Sequence, residues 1–181
     1  RHDHRHEDGT PDVVTMYGHI PVLPVEVLEL LSPQPGETAL DCTAGLGGHS
    51  SLLAEQLGAT GTLILNDLDP GNLTRAAETI RQRVPSPPKV ITVQGNFADA
   101  PRKLVEMGLA ADVVLADLGF SSSQMEDAER GLSFMREGPL DMRFDPSGSL
   151  TAADLVNSLS EAELGALIRE FGEDPGWRRI A

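Results

Sequence analysis

The sequence predicts an α/β fold, a doubly wound parallel sheet with helices on both faces, from two observations. Short apolar runs that end in turn residues alternate with amphipathic helical segments between about residues 37 and 119. The apolar runs are continuous, which is typical of parallel strands that are buried on both faces. The composition agrees with a folded domain, because 40% of the 181 residues are hydrophobic and 23% are charged. In such a sheet a ligand binds at the carboxyl ends of the strands.

The elements follow in order along the chain. Residues 1–18, which begin with the run RHDHRHEDGT, are expected to form a disordered tail. A short amphipathic helix follows at residues 22–31, and Pro33 and Gly36 end it. Four strands are predicted in the segments ETALDC, GTLILND, KVITVQG and ADVVLADLG, in the spatial order 3-2-1-4. Helices separate them, in the segments that end near Leu57, in PGNLTRAAETIRQRV and in PRKLVEMG.

This alternation stops at Phe120. The next 30 or so residues mix glycines, prolines and charges, and a loop of this length is usually functional or disordered. Isolated apolar residues favour an ordered loop: Leu132, Phe134, Met135, Leu140 and Met142. Two short helices are predicted after it, LTAADLVNSL and SEAELGALIREFG, the second with a capping box at Ser160 and Glu163.

Charge and cysteine content exclude several classes of protein. The net charge of −14 gives no general attraction to a phosphate backbone, so any recognition of RNA must be local. The single cysteine, Cys42, excludes a disulfide framework within the chain. No apolar run is long enough for a membrane span, and the first residues do not resemble a signal peptide. A cytoplasmic protein without a membrane partner is therefore expected, and no metal site is predicted.

The segment LDCTAGLGGHSSLL predicts a ligand-binding turn between the first strand and the next helix. Glycines at Gly45, Gly47 and Gly48 allow positive φ and a close approach of the backbone to a ligand. A dinucleotide requires G-x-G-x-x-G at such a turn, and Ser50 stands in the place of the last glycine. The alternative ligand is a nucleoside without phosphates.

Carboxylates at the predicted strand ends favour the second ligand. They are Asp41, Asp67, Asp69, Asp99 and Asp117. These five carboxylates form an acidic rim at the strand ends. Such a rim repels a pyrophosphate and suits the sulfonium and ammonium cations of S-adenosylmethionine. Asp67 lies about 20 residues beyond Gly47, where a carboxylate can accept both ribose hydroxyls.

Each of these side chains also has a structural interpretation. In the structural interpretation, Asp67 caps the next helix, although Asp69 before Pro70 suits that role better. For Asp41, stabilisation of the turn and contact with the ligand are equally plausible roles. Phe97 would cover the adenine or lie in the core, and His49 would donate to the ligand or cap the helix.

The fourth strand leads into Asp117-Leu118-Gly119-Phe120. A carboxylate at this point can accept a hydrogen bond from an exocyclic amine, and an aromatic ring three residues later can stack on an extruded base. Asp117 and Phe120 are therefore the predicted catalytic residues.

Five segments in this order carry a specific resemblance: HIPVLPVEVLELL, DCTAGLGGHS, NDLDP, ADLGFSSSQMEDAERGLSFMREGPLDMRFDP and FGED. Together they resemble the MraW-type family of small-subunit ribosomal RNA (cytosine-N4)-methyltransferases over about residues 19–181. The resemblance implies a Rossmann-like methyltransferase core that transfers a methyl group from S-adenosylmethionine to a cytidine N4 amine. The implied partner is small-subunit ribosomal RNA or the assembling small subunit.

The resemblance also implies site residues. The cofactor contacts are Gly47, Gly48, His49, Asp67, Phe97, Asp117 and Gln124, and Gly45 belongs to the same turn. Where the family often has proline, this chain has Ser123. The loss of the proline would loosen the loop that presents Gln124. Asp141 and Arg143 match the family's Asp-Met-Arg motif, with an uncertain role. Arg130, Arg136 and Arg143 would contact phosphates or form ion pairs within the loop.

The resemblance further implies that the chain stops inside a helical substrate-recognition insertion. We therefore expect a methyltransferase core at 19–123 and an active-site loop with the start of that insertion at 124–181. A C-terminally truncated chain of this kind is expected to be inactive in isolation and to self-associate, as a homodimer or otherwise, through an exposed edge of the sheet. The alternatives are a non-catalytic module that binds S-adenosylmethionine and, less favoured, an NAD-dependent oxidoreductase.

Overall fold

The computed structural model describes residues 21–181 and divides the chain into two compact units, Arg1–Gly119 and Phe120–Ala181. The predicted tail at 1–18 lies outside the described residues. Within the described part of the chain, no helix is both long and apolar enough to cross a membrane.

The first unit alternates helices and strands as predicted. Its elements are α1 (Pro24–Leu31), β1 (Thr38–Asp41), α2 (Gly48–Leu57), β2 (Thr62–Asp67), α3 (Pro70–Arg83), β3 (Lys89–Gln94), a 3₁₀ turn (Phe97–Asp99), α4 (Ala100–Glu106) and β4 (Val113–Leu115). Proline at the first position of α1 and α3 suits a helix start, because that N–H has no partner within the helix.

The four strands form one parallel sheet in the order β3-β2-β1-β4, which confirms the predicted topology. Alternate residues of each strand face opposite sides of the sheet. On one side Ala39, Leu63 and Leu65 pack with α2 and α3. On the other side Leu40 and Ile64 pack with residues of α4. Both faces are thus covered, and the fold is the doubly wound Rossmann-like core that the sequence predicts.

The fourth strand is shorter than its apolar run predicts. Its three residues pair with Ala39, Leu40 and Asp41 of β1. Since β1 ends at Asp41, the chain beyond Leu115 has no strand to continue the ladder and turns away from the sheet. This ends the strand just before Asp117.

The second unit is helical. It contains α5 (Ser122–Glu126), a 3₁₀ turn (Ala128–Arg130), α6 (Ala152–Ser158), α7 (Glu161–Phe171) and α8 (Trp177–Ile180). The capping box at Ser160 and Glu163 is present as predicted, and a second one at Thr151 and Asp154 begins α6. The predicted loop therefore contains a short helix and a 3₁₀ turn.

Candidate active site

Three carboxylates lie at one edge of the sheet, at the carboxyl ends of its strands. Asp41 is the last residue of β1, Asp67 is the last residue of β2, and Asp117 follows β4 by two residues. Because the strands are parallel, these ends lie side by side, as the sequence predicts. The three side chains differ in burial and in partners, and this decides what each can do.

Asp41 supports the turn from inside the protein. Its buried carboxylate accepts a hydrogen bond from the Thr43 backbone N–H at 3.0 Å and another from the Ser50 hydroxyl at 2.5 Å. Burial raises the pKa of the Asp41 carboxyl, and the hydrogen bond from Ser50 opposes that rise. These contacts support the turn-stabilising interpretation of Asp41. They also explain Ser50, which ties α2 to the end of β1 where a dinucleotide motif has glycine.

The glycine turn uses its own N–H groups. Gly45 and Gly47 have φ values of 50° and 89°, which a residue with a Cβ rarely adopts. The Gly45 N–H donates to Asp67 Oδ2 at 2.9 Å, and the Gly47 N–H donates to the Ala44 carbonyl at 2.8 Å. Two N–H groups that a pyrophosphate-binding turn would offer to phosphate oxygens are thus satisfied within the protein. This favours a ligand without phosphates and disfavours the dinucleotide interpretation.

Asp67 is partly committed to the protein but keeps room for a ligand. Its Oδ2 also accepts from Asn72 Nδ2 at 3.3 Å, and its Oδ1 accepts from the Asp69 backbone N–H at 2.9 Å. A carboxylate has about four lone-pair positions, so Oδ1 can still accept one ribose hydroxyl. A contact with both hydroxyls would require the Asn72 side chain to give up its hydrogen bond to Oδ2, which is the longest of these contacts. Asp69 caps α3 by accepting from the Gly71 N–H at 2.8 Å, as the sequence favours.

Asp117 has contacts with two residues, and about half of its side chain is exposed to solvent. Its backbone N–H donates to Thr43 Oγ1 at 2.8 Å, which ties the chain after β4 to the turn after β1. Its Oδ2 lies 3.6 Å from Nε2 of His49, whose side chain is 8% exposed, while the Asp117 side chain is 49% exposed. Sequence reasoning missed Thr43. Its only local sign is the Asp-x-Thr spacing that forms a turn in which Asp41 accepts from the Thr43 N–H.

Phe97 opens the 3₁₀ turn after β3 with an exposed ring, so it does not lie in the core. Asn66 fixes the backbone before it, because its Nδ2 donates to the carbonyls of Val93 at 2.7 Å and Gly95 at 3.2 Å. The predicted contact of Phe97 with adenine stays a prediction.

The remaining predicted site residues belong to the second unit. The Phe120 ring stacks on Phe144, with centroids 5.2 Å apart, so one face of Phe120 is already occupied. Gln124 and Ser121 form a reciprocal pair in which each backbone N–H donates to the other's side chain, at 3.0 and 3.2 Å. This pair begins α5 as a capping box and holds the Gln124 side chain in the first turn of that helix.

The arginines of the second unit bind other parts of that unit. Arg143 forms a forked pair with Asp141 at 2.8 and 2.6 Å and donates to the Gly148 carbonyl at 2.5 Å. Hydrogen bonding from Arg143 lowers the pKa of the Asp141 carboxyl to about 2. Arg130 donates to the Phe144 carbonyl at 2.8 Å, and Arg136 donates to the Glu126 carbonyl at 2.6 Å. These contacts support the interpretation in which the arginines organise the loop, and a contact with phosphate stays a prediction.

The residues of the first unit fit S-adenosylmethionine. His49 Nδ1 is buried and meets no hydrogen-bond partner among residues 21–181, so the ring whose Nε2 faces Asp117 keeps one unsatisfied polar atom. Asp67 and Asp117 supply negative charge for a cationic ligand, and the turn offers little to a phosphate. Between residues 21 and 181, no group of three or more His, Cys, Asp or Glu side chains could hold a metal ion.

Comparisons with known proteins place the chain among methylases. Its residues 16–181 match the profile described as the MraW methylase family. Ribosomal RNA small subunit methyltransferase H of Syntrophotalea carbinolica is 47% identical, over 92% of this chain and 52% of that protein. The protein of the same name from Koribacter versatilis is 44% identical, over 93% of this chain and 54% of that protein. The chain thus spans about half the length of the curated relatives it matches.

Among solved structures, NSun6 from Pyrococcus horikoshii with SFG is 24% identical, with a TM-score of 0.45, over 59% of this chain and 27% of that chain. A protein-L-isoaspartate O-methyltransferase is 18% identical, with a TM-score of 0.44, over 55% of this chain and 29% of that chain. The family profile covers all the described residues, so the chain belongs to the MraW methylase family, and both the resemblance and the expected cofactor, S-adenosylmethionine, are confirmed.

Proposed function

We propose that this protein is a cytoplasmic methyltransferase that transfers a methyl group from S-adenosylmethionine to the N4 amine of a cytidine in small-subunit ribosomal RNA. The observation that carries the proposal is the Asp117 carboxylate, half exposed and held at the same edge of the sheet as Asp67 and the glycine turn. The names of the relatives from Syntrophotalea and Koribacter support ribosomal RNA as the substrate class.

The residues of the first unit would divide the work of binding. Asp67 would accept a ribose hydroxyl at Oδ1, and its Oδ2 would keep the glycine turn in place through the Gly45 N–H. Phe97 would lie against the adenine, and His49 and Asp117 would face the cationic end of the cofactor. When bound, S-adenosylmethionine supplies a methyl group that its sulfonium makes electrophilic.

Asp117 would act on the target amine. Its carboxylate would accept a hydrogen bond from the N4 amine and so orient the nitrogen lone pair. As the nitrogen gains its bond to the methyl carbon, the bond from that carbon to sulfur would break, and its electron pair would leave with the neutral thioether, S-adenosylhomocysteine. The nitrogen would then give up a proton, which the same carboxylate can take. Phe120, three residues further along, would stack its free face on the target base. Gln124, Arg130, Asp141 and Arg143 would act through the loop that they organise.

The test uses the full natural chain, immature small ribosomal subunits and isotopically labelled S-adenosylmethionine. We expect label in N4-methylcytidine when the RNA is digested and its nucleosides are separated by mass. Asp117→Asn keeps the shape but removes the charge, so the rate should fall by about 10²-fold or more while cofactor affinity changes less. Asp99→Asn is the matched control, because the sequence predicts Asp99 in the same acidic rim, whereas the structure places it at the end of the 3₁₀ turn, paired with Arg102 on the surface.

Three results would contradict the proposal. Label in uridine or at cytosine C5 would show a different target atom. Cofactor binding without transfer by the wild-type chain would favour the non-catalytic binding module. A loss of cofactor binding in Asp117→Asn, with an unchanged rate for each bound complex, would make Asp117 a cofactor ligand only.

A further inference from the structure

We propose that His49 is a positioning residue for Asp117: it donates from Nε2 to one carboxylate oxygen and leaves the other oxygen to the target amine. The inference rests on the proposed function and assigns His49 a role beyond the cofactor contact that the family resemblance implies. Its basis is the contact between the two side chains at the start of α2 and the end of β4.

The contact joins one ring nitrogen to one carboxylate oxygen. His49 is the second residue of α2, and Nε2 of its largely buried ring lies 3.6 Å from Asp117 Oδ2. This distance is longer than a hydrogen bond. Catalytic hydrogen bonds are often long without ligands and tighten in the complex, and the half-exposed Asp117 side chain has freedom to close the gap.

The surroundings of the ring select one tautomer. Its Nδ1 is buried without a hydrogen-bond partner among the described residues, whereas Nε2 faces a carboxylate, which can only accept. A proton on Nε2 therefore has an acceptor, and a proton on Nδ1 has none. The neutral ring then carries its hydrogen on Nε2 and leaves Nδ1 as a bare acceptor.

This arrangement restricts Asp117. Its backbone is already fixed by the hydrogen bond from its N–H to Thr43, so the side chain is the part that can still rotate. A donor on Oδ2 selects one orientation and directs Oδ1 away from the ring, towards the open side of the residue. The orientation matters during transfer, so we expect His49 to affect the rate more than the affinity for the cofactor.

Two variants of the full natural chain separate this role from a merely structural one. In His49→Gln the amide nitrogen can reach the position of Nε2, whereas in His49→Asn it reaches only the position of Nδ1. We expect His49→Asn to lower kcat by roughly 10- to 150-fold, the range for a lost hydrogen bond to a charged group. His49→Gln should lose less than about 5-fold, and in each variant the Kd for S-adenosylmethionine should rise by a smaller factor than kcat falls, because His49 also faces the cofactor.

A second measurement does not depend on activity. The ¹⁵N shifts of the imidazole distinguish a protonated from a bare ring nitrogen, and we expect Nε2 protonated and Nδ1 bare in the wild-type protein. Asp117→Ala should change the Nε2 shift. In the Asp117→Asn background, His49→Asn should cause no further loss of rate, because both residues act through one carboxylate.

The inference is overturned if the proton lies on Nδ1, if the Gln and Asn variants lose equal activity, or if either weakens cofactor binding as much as it lowers the rate. Absence of methyl transfer by the wild-type chain would instead overturn the proposed function. The imidazole spectrum would then decide by itself whether His49 donates to Asp117.

Discussion

Asp41, Asp67 and Asp117 have the same carboxylate group, and their surroundings give them different roles. The Asp41 carboxylate is buried against Ser50 and Thr43 and supports the turn from within. Asp67 binds the glycine turn and the start of α3 while keeping one oxygen accessible to another donor. Asp117 is exposed enough to meet a substrate. Asp41 therefore stabilises the turn, Asp67 is the proposed link between the turn and the cofactor, and Asp117 is the proposed site of the chemistry.

At this scale we predict that Asp67→Ala in the full natural chain weakens S-adenosylmethionine binding by roughly 10- to 150-fold, as a lost hydrogen bond to a charged group implies. Its free energy of unfolding should also fall by about 1–3 kcal/mol, because the N–H groups of Gly45 and Asp69 lose their acceptor. Calorimetric titration gives the dissociation constant, and urea unfolding gives the stability.

The matched control is Asp69→Ala, two residues away. It removes the cap of α3, at a cost of about 0.5–2 kcal/mol, and leaves both oxygens of Asp67 in place. Its affinity for the cofactor should equal that of the wild type. Equal affinity in Asp67→Ala would remove Asp67 from the cofactor site.

At the scale of elements, the glycine turn also sets how α2 and α3 pack. A Cβ added to Gly47 would lie 3.0 Å from Ala76 Cα and 3.2 Å from its carbonyl oxygen, so Ala76 would have to move by a few tenths of an ångström to admit it. Gly47 therefore has a structural reason to be glycine, whether or not its backbone also contacts the cofactor.

We predict that Gly47→Ala lowers the free energy of unfolding by about 2–5 kcal/mol, the sum of a left-handed backbone and an overpacked contact. Gly108→Ala is the control, because Gly108 has a similar positive φ of 67° but no atom within 4 Å of its added Cβ. It should lose only the backbone part, about 1–2 kcal/mol, in the same urea unfolding experiment. Equal losses in both variants would show that Ala76 adjusts without cost.

The second unit shows how far local patterns reach at this scale. Capping boxes begin three of its helices: α5 at Ser121 and Gln124, α6 at Thr151 and Asp154, and α7 at Ser160 and Glu163. They are short-range hydrogen bonds, so a sequence pattern can identify them. The forked contact of Arg143 with Asp141 and its bond to the Gly148 carbonyl also join near neighbours, 2 and 5 residues apart along the chain. They depend on the backbone conformation of an irregular loop, which no capping pattern predicts.

At the scale of the whole molecule, β4 lies at one edge of the sheet in the described part of the chain. Strand edges carry unpaired N–H and C=O groups that pair readily with another chain. Val114 lies in this strand with its side chain half exposed. Self-association through this edge therefore stays a prediction, in spite of the net charge of −14.

We predict that a polypeptide of residues 1–181 self-associates in light scattering and that Val114→Lys returns it towards a monomer, because a charged edge resists pairing. Val105→Lys is the control, since Val105 is the same residue type and is more exposed, 77% against 53% for Val114, but lies on α4. A monomeric wild-type polypeptide, or equal dissociation by both variants, would contradict association through β4.

The sequence by itself determined the fold class, the order of the strands, the position of the glycine turn and the family. Continuous apolar runs, helical spacing and capping residues are local properties, and Asp67, Asp69 and Asp117 could be placed at strand ends from them alone. The tertiary structure decided what each polar group does there. Ser50 meets Asp41, Gly45 meets Asp67 across 22 residues, Asp117 meets Thr43 across 74, and His49 faces Asp117. Such contacts depend on strand register and helix packing, because parallel pairing brings together side chains whose separation along the chain carries no sign of the contact.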